Sequence, residues 1–189
     1  MILNHYEFDC LPATNYDAHN INEELWNNMK TNLVTRGGME ILQEEMRFLW
    51  HEERPDITQK VSWAASLGDR SENADYHYNK KKLREIDRRI HYLTKRLDEI
   101  RIVDYSPEQE GKVFFGAWVR LSNDDDNELF FRIVGPDEIY HNKKYISVDA
   151  PMARACLGKE DGDDVLVKTD VSQKSWIIEE IIYNYKPDN

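Results

Sequence analysis

Leu83, Ile86, Ile90, Leu93, Leu97 and Ile100 step 3, 4, 3, 4, 3 along the chain. That is an unbroken heptad seam, and it commits about 25 residues to a helix that must find an apolar partner. The partner lies just upstream. Met39, Leu42, Met46, Leu49, Ile57, Val61 and Ala64 form a looser stripe, interrupted where Glu53 falls on it. Between the stripes, Leu67-Gly68-Asp69-Arg70-Ser71-Glu72-Asn73 is the one turn-like stretch. Gly68 suits the position just past a helix, and Asp69 or Ser71 suits a cap on the next. The pattern predicts an antiparallel helical hairpin running from Thr35 to Val103, with arms of roughly 45 Å at 1.5 Å per residue. Pro55 falls inside the first arm and is expected to kink it, since it lacks a backbone donor and crowds the preceding turn.

The period changes after Tyr105-Ser106-Pro107. Lys112–Leu121, Glu128–Val134, Lys144–Val148, Val165–Lys168 and Ser175–Tyr183 are rich in β-branched and aromatic residues and read as strands, with a turn at Asn123–Asn127. Pro151–Gly158 reads as a short helix, Pro at its first position and Gly past its end. The expected fold is therefore α+β: a helical hairpin over residues 29–104, then a small sheet domain over 105–189. Residues 1–28 carry six Asn and little periodicity and are expected to be a disordered extension. Met29 is an alternative start.

Charge follows the same division. The whole chain of 189 residues has a net charge of −11, made of −5 over residues 1–28, +1 over 29–104 and −7 over 105–189. A net acidic chain argues against indiscriminate coating of DNA. No apolar run is long enough for a membrane span, and the first 28 residues lack Lys, Arg and an apolar core, so a signal peptide is not expected. Two cysteines, Cys10 and Cys156, make neither a disulfide framework nor a zinc site, which fits a reducing cytoplasm.

A two-helix rod has no interior for a substrate, so any chemistry belongs to its tip. Asp69, Glu72 and Asp75 gather there, with Arg70 and Asn73 beside them. Carboxylates of this kind can ligate Mg²⁺ or orient a water, but two or three do not complete a metal cage, and Mg²⁺ ordinarily keeps waters and shares ligands with a phosphate. The same spacing also matches a capping box, Asp69 at the N-cap and Glu72 three residues on. From spacing alone, capping outweighs catalysis.

A second feature is basic. Lys81, Arg84, Arg88, His91 and Lys95 step along the second helix, and Lys82, Arg89 and Arg96 form a parallel row. Residues 80–101 hold nine Lys or Arg against four Asp or Glu. Intrahelical pairs such as Glu85 with Arg89 account for some of these, while the excess suits phosphate; both readings stand. Tyr76, Tyr78 and Tyr92 are nearby and could stack on bases, although packing is the commoner role. Cys156 and the five tryptophans are expected to be packing residues. No P-loop, dinucleotide fingerprint, nucleophile elbow or zincin motif is present.

Gly68-Asp69-Arg70-Ser71-Glu72-Asn73-Ala74-Asp75-Tyr76 resembles the coiled-coil tip of the Gre transcript cleavage factors of bacterial RNA polymerase. Arg54-Pro55 resembles that family's kinked first arm. Gly135, Asp149, Pro151, Met152, Ala153 and Arg154 resemble its C-terminal domain. Phe114–Val119, Trp63-Ala64-Ala65 and Tyr78-Asn79-Lys80-Lys81 point to the GreB type within the family rather than GreA. The similarity runs from about Met29 to Tyr185.

The resemblance implies a hairpin that enters the secondary channel of a backtracked polymerase and stimulates the enzyme's own cleavage of the RNA 3′ end, so rescuing arrested complexes. Asp69 and Glu72 match the family's functional acidic pair, helping to hold a second Mg²⁺ shared with the polymerase active site and to orient the attacking water; Asn73 and Asp75 would support them. Lys80, Lys81, Arg84 and Arg88 would contact the extruded transcript. The C-terminal domain would be FKBP-like and would dock on the coiled coil of the polymerase's largest subunit through Asp149 and Pro151. The family usually has Ser between these two, where this chain has Ala150. Ser there could cap the short helix and Ala cannot, at a cost of about 1 kcal/mol. The chain alone is expected to be a monomer in the cytoplasm without nuclease activity. A channel-binding regulator that does not promote cleavage is the alternative, and a prolyl isomerase or chaperone a weaker one, since it rests on fold alone.

Overall fold

The computed structural model describes residues 31–68, 70–168 and 173–184. The extension expected at residues 1–28 lies outside the described residues. In the helical region, strand β1 (Leu33–Thr35) leads into α1 (Arg36–Phe48). A π-helical turn (Leu49–Glu53) joins α1 to α2 (Arg54–Ser66), and α3 (Ala74–Glu99) returns antiparallel to them before β2 (Arg101–Val103). Every residue of the predicted seam joins one apolar cluster: Ile86, Ile90, Leu93 and Ile100 are buried, and Leu83 and Leu97 partly so. Each fully buried side chain of this size contributes about 1.5–3 kcal/mol.

The π turn explains the weak stretch of the upstream stripe. An α-helix of 3.6 residues per turn brings a face round again after seven residues. Leu42 to Leu49 is one such step and Ile57 to Ala64 another, but Leu49 to Ile57 spans eight. All four are buried. The widened turn, closed by a bond from the Arg54 N–H to the Leu49 carbonyl, absorbs the extra residue and keeps Leu49 and Ile57 on one face. Pro55 falls in the first turn of α2, so the π turn stands just before it, where the kink is expected. Glu53 stays half-buried and is neutralised by Lys82 of α3 at 2.8 Å.

Helix does not extend from Thr35 to Val103 as the pattern predicts. Arg101–Val103 is a strand, parallel to Leu33–Thr35, and Thr35 is the N-cap of α1. Three-residue strands are too short to show a period, which is why they read as the end of a helix.

The second region is a five-stranded sheet of order β5-β4-β3-β7-β6, built from β3 (Trp118–Ser122), β4 (Glu128–Val134), β5 (Tyr145–Ser147), β6 (Asp164–Lys168) and β7 (Gln173–Ile182). Only β4 and β5 pair in parallel. Alternation decides the inner face: Val165 and Val167 of β6, and Trp176 and Ile178 of β7, are buried while their neighbours are exposed. The short helix α4 (Pro151–Cys156) lays Ala153 and Cys156 onto that core. Burial pushes the Cys156 thiol up to about 12, as suits a core cysteine. The strand expected over Lys112–Leu121 is shorter, because Gly116 adopts a left-handed φ of 89° and Lys112 makes only an isolated bridge to Glu160. The Asn123–Asn127 turn forms as expected, with Asp126 at φ 56°. No helix among the described residues is long and apolar enough to cross a membrane.

The two regions meet at the turn after β4. Asp137 accepts from Arg96 Nε of α3 at 2.6 Å and from the Tyr92 hydroxyl. Glu138 is buried against the start of α1 and accepts from the Thr35 N–H at 3.0 Å, from the Thr35 hydroxyl, and from the Gly135 N–H at 2.8 Å.

Candidate functional site at the hairpin tip

Helix α2 ends at Ser66, Leu67 closes it, and Gly68 follows with φ 121°, a conformation that favours glycine. Asp69, the first of the two acids singled out from the sequence, lies outside the described residues. Helix α3 starts at Ala74 and is capped by Asn73, not by Asp69 or Ser71. Asn73 Oδ1 accepts from the Tyr76 N–H at 3.0 Å, while its Nδ2 donates to the Ala64 carbonyl at 2.8 Å. One side chain therefore satisfies a helix-start donor of α3 and a helix-end acceptor of α2, clasping the two arms together.

That clasp removes the capping box from consideration. With Asn73 as the cap, Glu72 lies one residue outside the helix rather than in its first turn, so it is not the reciprocal partner the spacing suggested. Glu72 is exposed and makes no hydrogen bond or ion pair with any described residue. Asp75 is also exposed, in the first turn of α3, where a carboxylate is favoured by the helix dipole. The tip is completed by His77, whose Nε2 is 3.1 Å from the Ser71 carbonyl oxygen.

The two basic rows of α3 differ in their partners, although Lys95, in the row of Lys81, Arg84 and Arg88, lies 3.9 Å from Glu99. Lys82 pairs with Glu53, Arg89 with Glu45 through two bonds of 2.7 Å, and Arg96 with Asp137. These charges bind the second arm to the first and to the sheet region. Donating to Glu53 raises the pKa of Lys82, and donating to Glu45 raises that of Arg89. In the other row, Lys81, Arg84 and Arg88 are exposed and pair with no carboxylate among the described residues. Together with Asp87 they line a shallow surface groove, and Asp87 is itself taken by Arg54 at 2.7 Å. Lys80 points elsewhere: its ammonium lies 5.2 Å from the centre of the Tyr76 ring and 3.3 Å from its hydroxyl.

Residues 32–102 match the family described as transcription elongation factor, N-terminal, and residues 108–183 match transcription elongation factor, GreA/GreB, C-term. Transcription elongation factor GreB of Pseudomonas syringae pv. tomato is 62% identical over 155 residues, which cover 82% of this chain and 99% of that relative. This chain belongs to the GreA/GreB family of transcription elongation factors. Its relatives also include GreB of Vibrio vulnificus, 60% identical over 82% of this chain and 98% of that one, and GreB of Yersinia pestis, 54% identical over 82% and 90%.

In this GreA/GreB chain the two residues expected at a docking surface differ in exposure. Pro151 is exposed at the first turn of α4. Asp149 is part-buried, and its carboxylate accepts from the Thr31 N–H at 3.2 Å and from the Thr31 hydroxyl. Ala150 is the N-cap of α4 and offers no side-chain bond.

The structure also exposes side chains that the sequence pattern assigns to packing. Trp63 near the tip is 59% exposed, and Trp50 on the first arm is 51% exposed. Trp118 and Trp176 are buried in the sheet region as expected. Position in the stripe separates these, since Trp63 lies next to buried Ala64 and so cannot share its face.

Proposed function

We propose that this transcription elongation factor inserts its hairpin into the secondary channel of a backtracked bacterial RNA polymerase and stimulates cleavage of the extruded RNA 3′ end. The observation that carries the reading is Glu72. It is an exposed carboxylate at the end of a rod, left without a partner among the described residues because Asn73 does the capping. Asp69, three residues before it, supplies the second acid of the pair.

No group of three ligating side chains occurs among the described residues. Carboxylate oxygens suit Mg²⁺ in hardness, but one or two of them leave most of its six positions to water, phosphate and another protein. Asp69 and Glu72 would hold the ion jointly with the polymerase's own carboxylates and the transcript. When bound there, Mg²⁺ lowers the pKa of a coordinated water and neutralises charge on the scissile phosphate. The chain's own contribution is placement: Asn73 fixes the arms and leaves Glu72 exposed at the tip, where Glu72 accepts a hydrogen bond from the attacking water. The chain alone would not act as a nuclease, because most of the ion's ligands would come from the polymerase and the transcript.

Lys81, Arg84 and Arg88 would bind transcript phosphates, and Lys80, held over Tyr76, would act at the edge of the same face. The sheet region would dock on the coiled coil of the polymerase's largest subunit at the channel rim, through the surface that carries Pro151 and Asp149. The test is RNA cleavage in stalled, backtracked elongation complexes with Mg²⁺, comparing the intact chain with Asp69→Asn/Glu72→Gln at matched polymerase occupancy. Faster cleavage with the intact chain alone supports the reading. Equal acceleration by both defeats the proposed role of the acids, and acceleration by neither leaves a channel-binding regulator.

A further inference from the structure

Resting on that reading, we propose that Glu138, with Asp137 beside it, is a positioning residue that fixes the angle between the hairpin and the sheet region and so aims the tip. Glu138 is 1% exposed at the junction of the two regions, and no Lys, Arg or His side chain pairs with it among the described residues. A buried carboxylate is tolerated only when its lone pairs are filled. Here they are filled from both sides of the junction. The Thr35 N–H and hydroxyl come from the hairpin, and the Gly135 N–H from the sheet region. The Thr35 oxygen in turn accepts from the Gly38 N–H at 3.0 Å, so the carboxylate is linked to the first turn of α1. Such a network depends on direction, and an apolar contact of equal area would not.

The junction also has no slack. A Cβ built on Gly38 would lie 2.1 Å from Glu138 Oε1, and one built on Gly135 would lie 2.1 Å from the Leu33 carbonyl oxygen. Asp137 adds a second grip on another element, through Arg96 and Tyr92 of α3; the Arg96 and Asp137 side chains are only 12% and 10% exposed. Adjacent carboxylates thus hold the start of α1 and the end of α3, and rotation about either contact is opposed by the other.

Leverage makes this matter. Arg96 is 22 residues from Ala74 along α3, a rise of about 33 Å. A tilt of about 10° at the base would carry the tip roughly 6 Å on that radius, whereas a misplacement of about 1 Å is enough to cost on the order of 100-fold in a positioned reaction.

The experiment uses Gly38→Ala. Alanine is the better helix former, so α1 gains propensity while the new methyl displaces the carboxylate. Gly37→Ala is the control, since nothing lies within 4 Å of its Cβ, and Glu138→Gln is the conservative variant. Spin labels at Arg70→Cys and Lys174→Cys, in a Cys10→Ser background, report the distance from tip to sheet. Cleavage is followed against factor concentration in backtracked complexes. Gly38→Ala should shift or broaden the distance distribution by several ångströms and lower the maximal cleavage rate at least about tenfold. Its half-saturating concentration should stay within about threefold, because docking is untouched. Glu138→Gln should fall between Gly38→Ala and the parent, and Gly37→Ala should match the parent. The proposal is overturned if Gly38→Ala behaves as Gly37→Ala does, or if the distribution broadens with no loss of maximal rate. Should the parent chain not stimulate cleavage at all, the proposed function fails, and the distance distributions alone decide whether Glu138 fixes the angle.

Discussion

The two ends of the hairpin treat the same functional group in opposite ways. At the base, Asp137 and Glu138 have their oxygens occupied by donors from the hairpin and the adjoining turn. At the tip, Glu72 and Asp75 are exposed, and Glu72 has no partner among the described residues. A carboxylate with filled lone pairs fixes geometry; one without them is available to something outside the chain. The basic residues of α3 divide likewise, with Lys82, Arg89 and Arg96 paired internally and Lys81, Arg84 and Arg88 left to solvent.

The largest effect should come from removing the available acids. Asp69→Asn/Glu72→Gln is expected to lower stimulated cleavage on the order of 100-fold or more, by analogy with the loss of one transition-state-stabilising group, with the thermal midpoint unchanged; an equal loss of stability would mean that the tip acids are structural. Next, Asn73→Ala removes a cap and a cross-arm bond and should destabilise the hairpin by about 2 kcal/mol. Urea denaturation would measure this, and a change below about 0.5 kcal/mol would show that the clasp is not holding the arms. Replacing Lys81, Arg84 and Arg88 together by Ala should weaken crosslinking to the extruded transcript about tenfold at moderate salt and flatten its salt dependence. The paired control Lys82→Ala/Arg89→Ala should instead lower the denaturation midpoint slightly and leave the crosslink in place. If the control weakens the crosslink as much as the triple variant, the contrast between the rows collapses. The smallest effect is a gain: Ala150→Ser supplies the missing cap of α4, worth about 0.5–1 kcal/mol by denaturant titration.

Much of this architecture is legible in the amino-acid sequence, and the reason is periodicity. The seam from Leu83 to Ile100 repeats often enough to declare a helix and its buried face, and the alternation in β6 and β7 does the same for the sheet. The turn between two stripes locates the tip. Pairing over distance, or over very few residues, leaves no such trace. The three-residue strands β1 and β2 have no room for a period, and the bonds joining Glu138 to Thr35 span 103 positions without a local pattern. The cap of α3 is ambiguous in sequence because Asp69, Ser71 and Asn73 are all good caps, and only the position of Ala64 selects Asn73. Likewise, the rows 81/84/88 and 82/89/96 look equally basic in sequence. Glu45 and Glu53 on the other arm decide which is neutralised.

The π turn at Leu49–Glu53 acts as a phase correction within the first arm. Without its additional residue, everything beyond it would be rotated by about 100° around the rod axis relative to α3. The Ala64 carbonyl would then face away from Asn73, and the loop that carries the acids would leave the rod in another direction. Five residues near the middle of the arm therefore set the compass bearing of a tip more than two helical turns away.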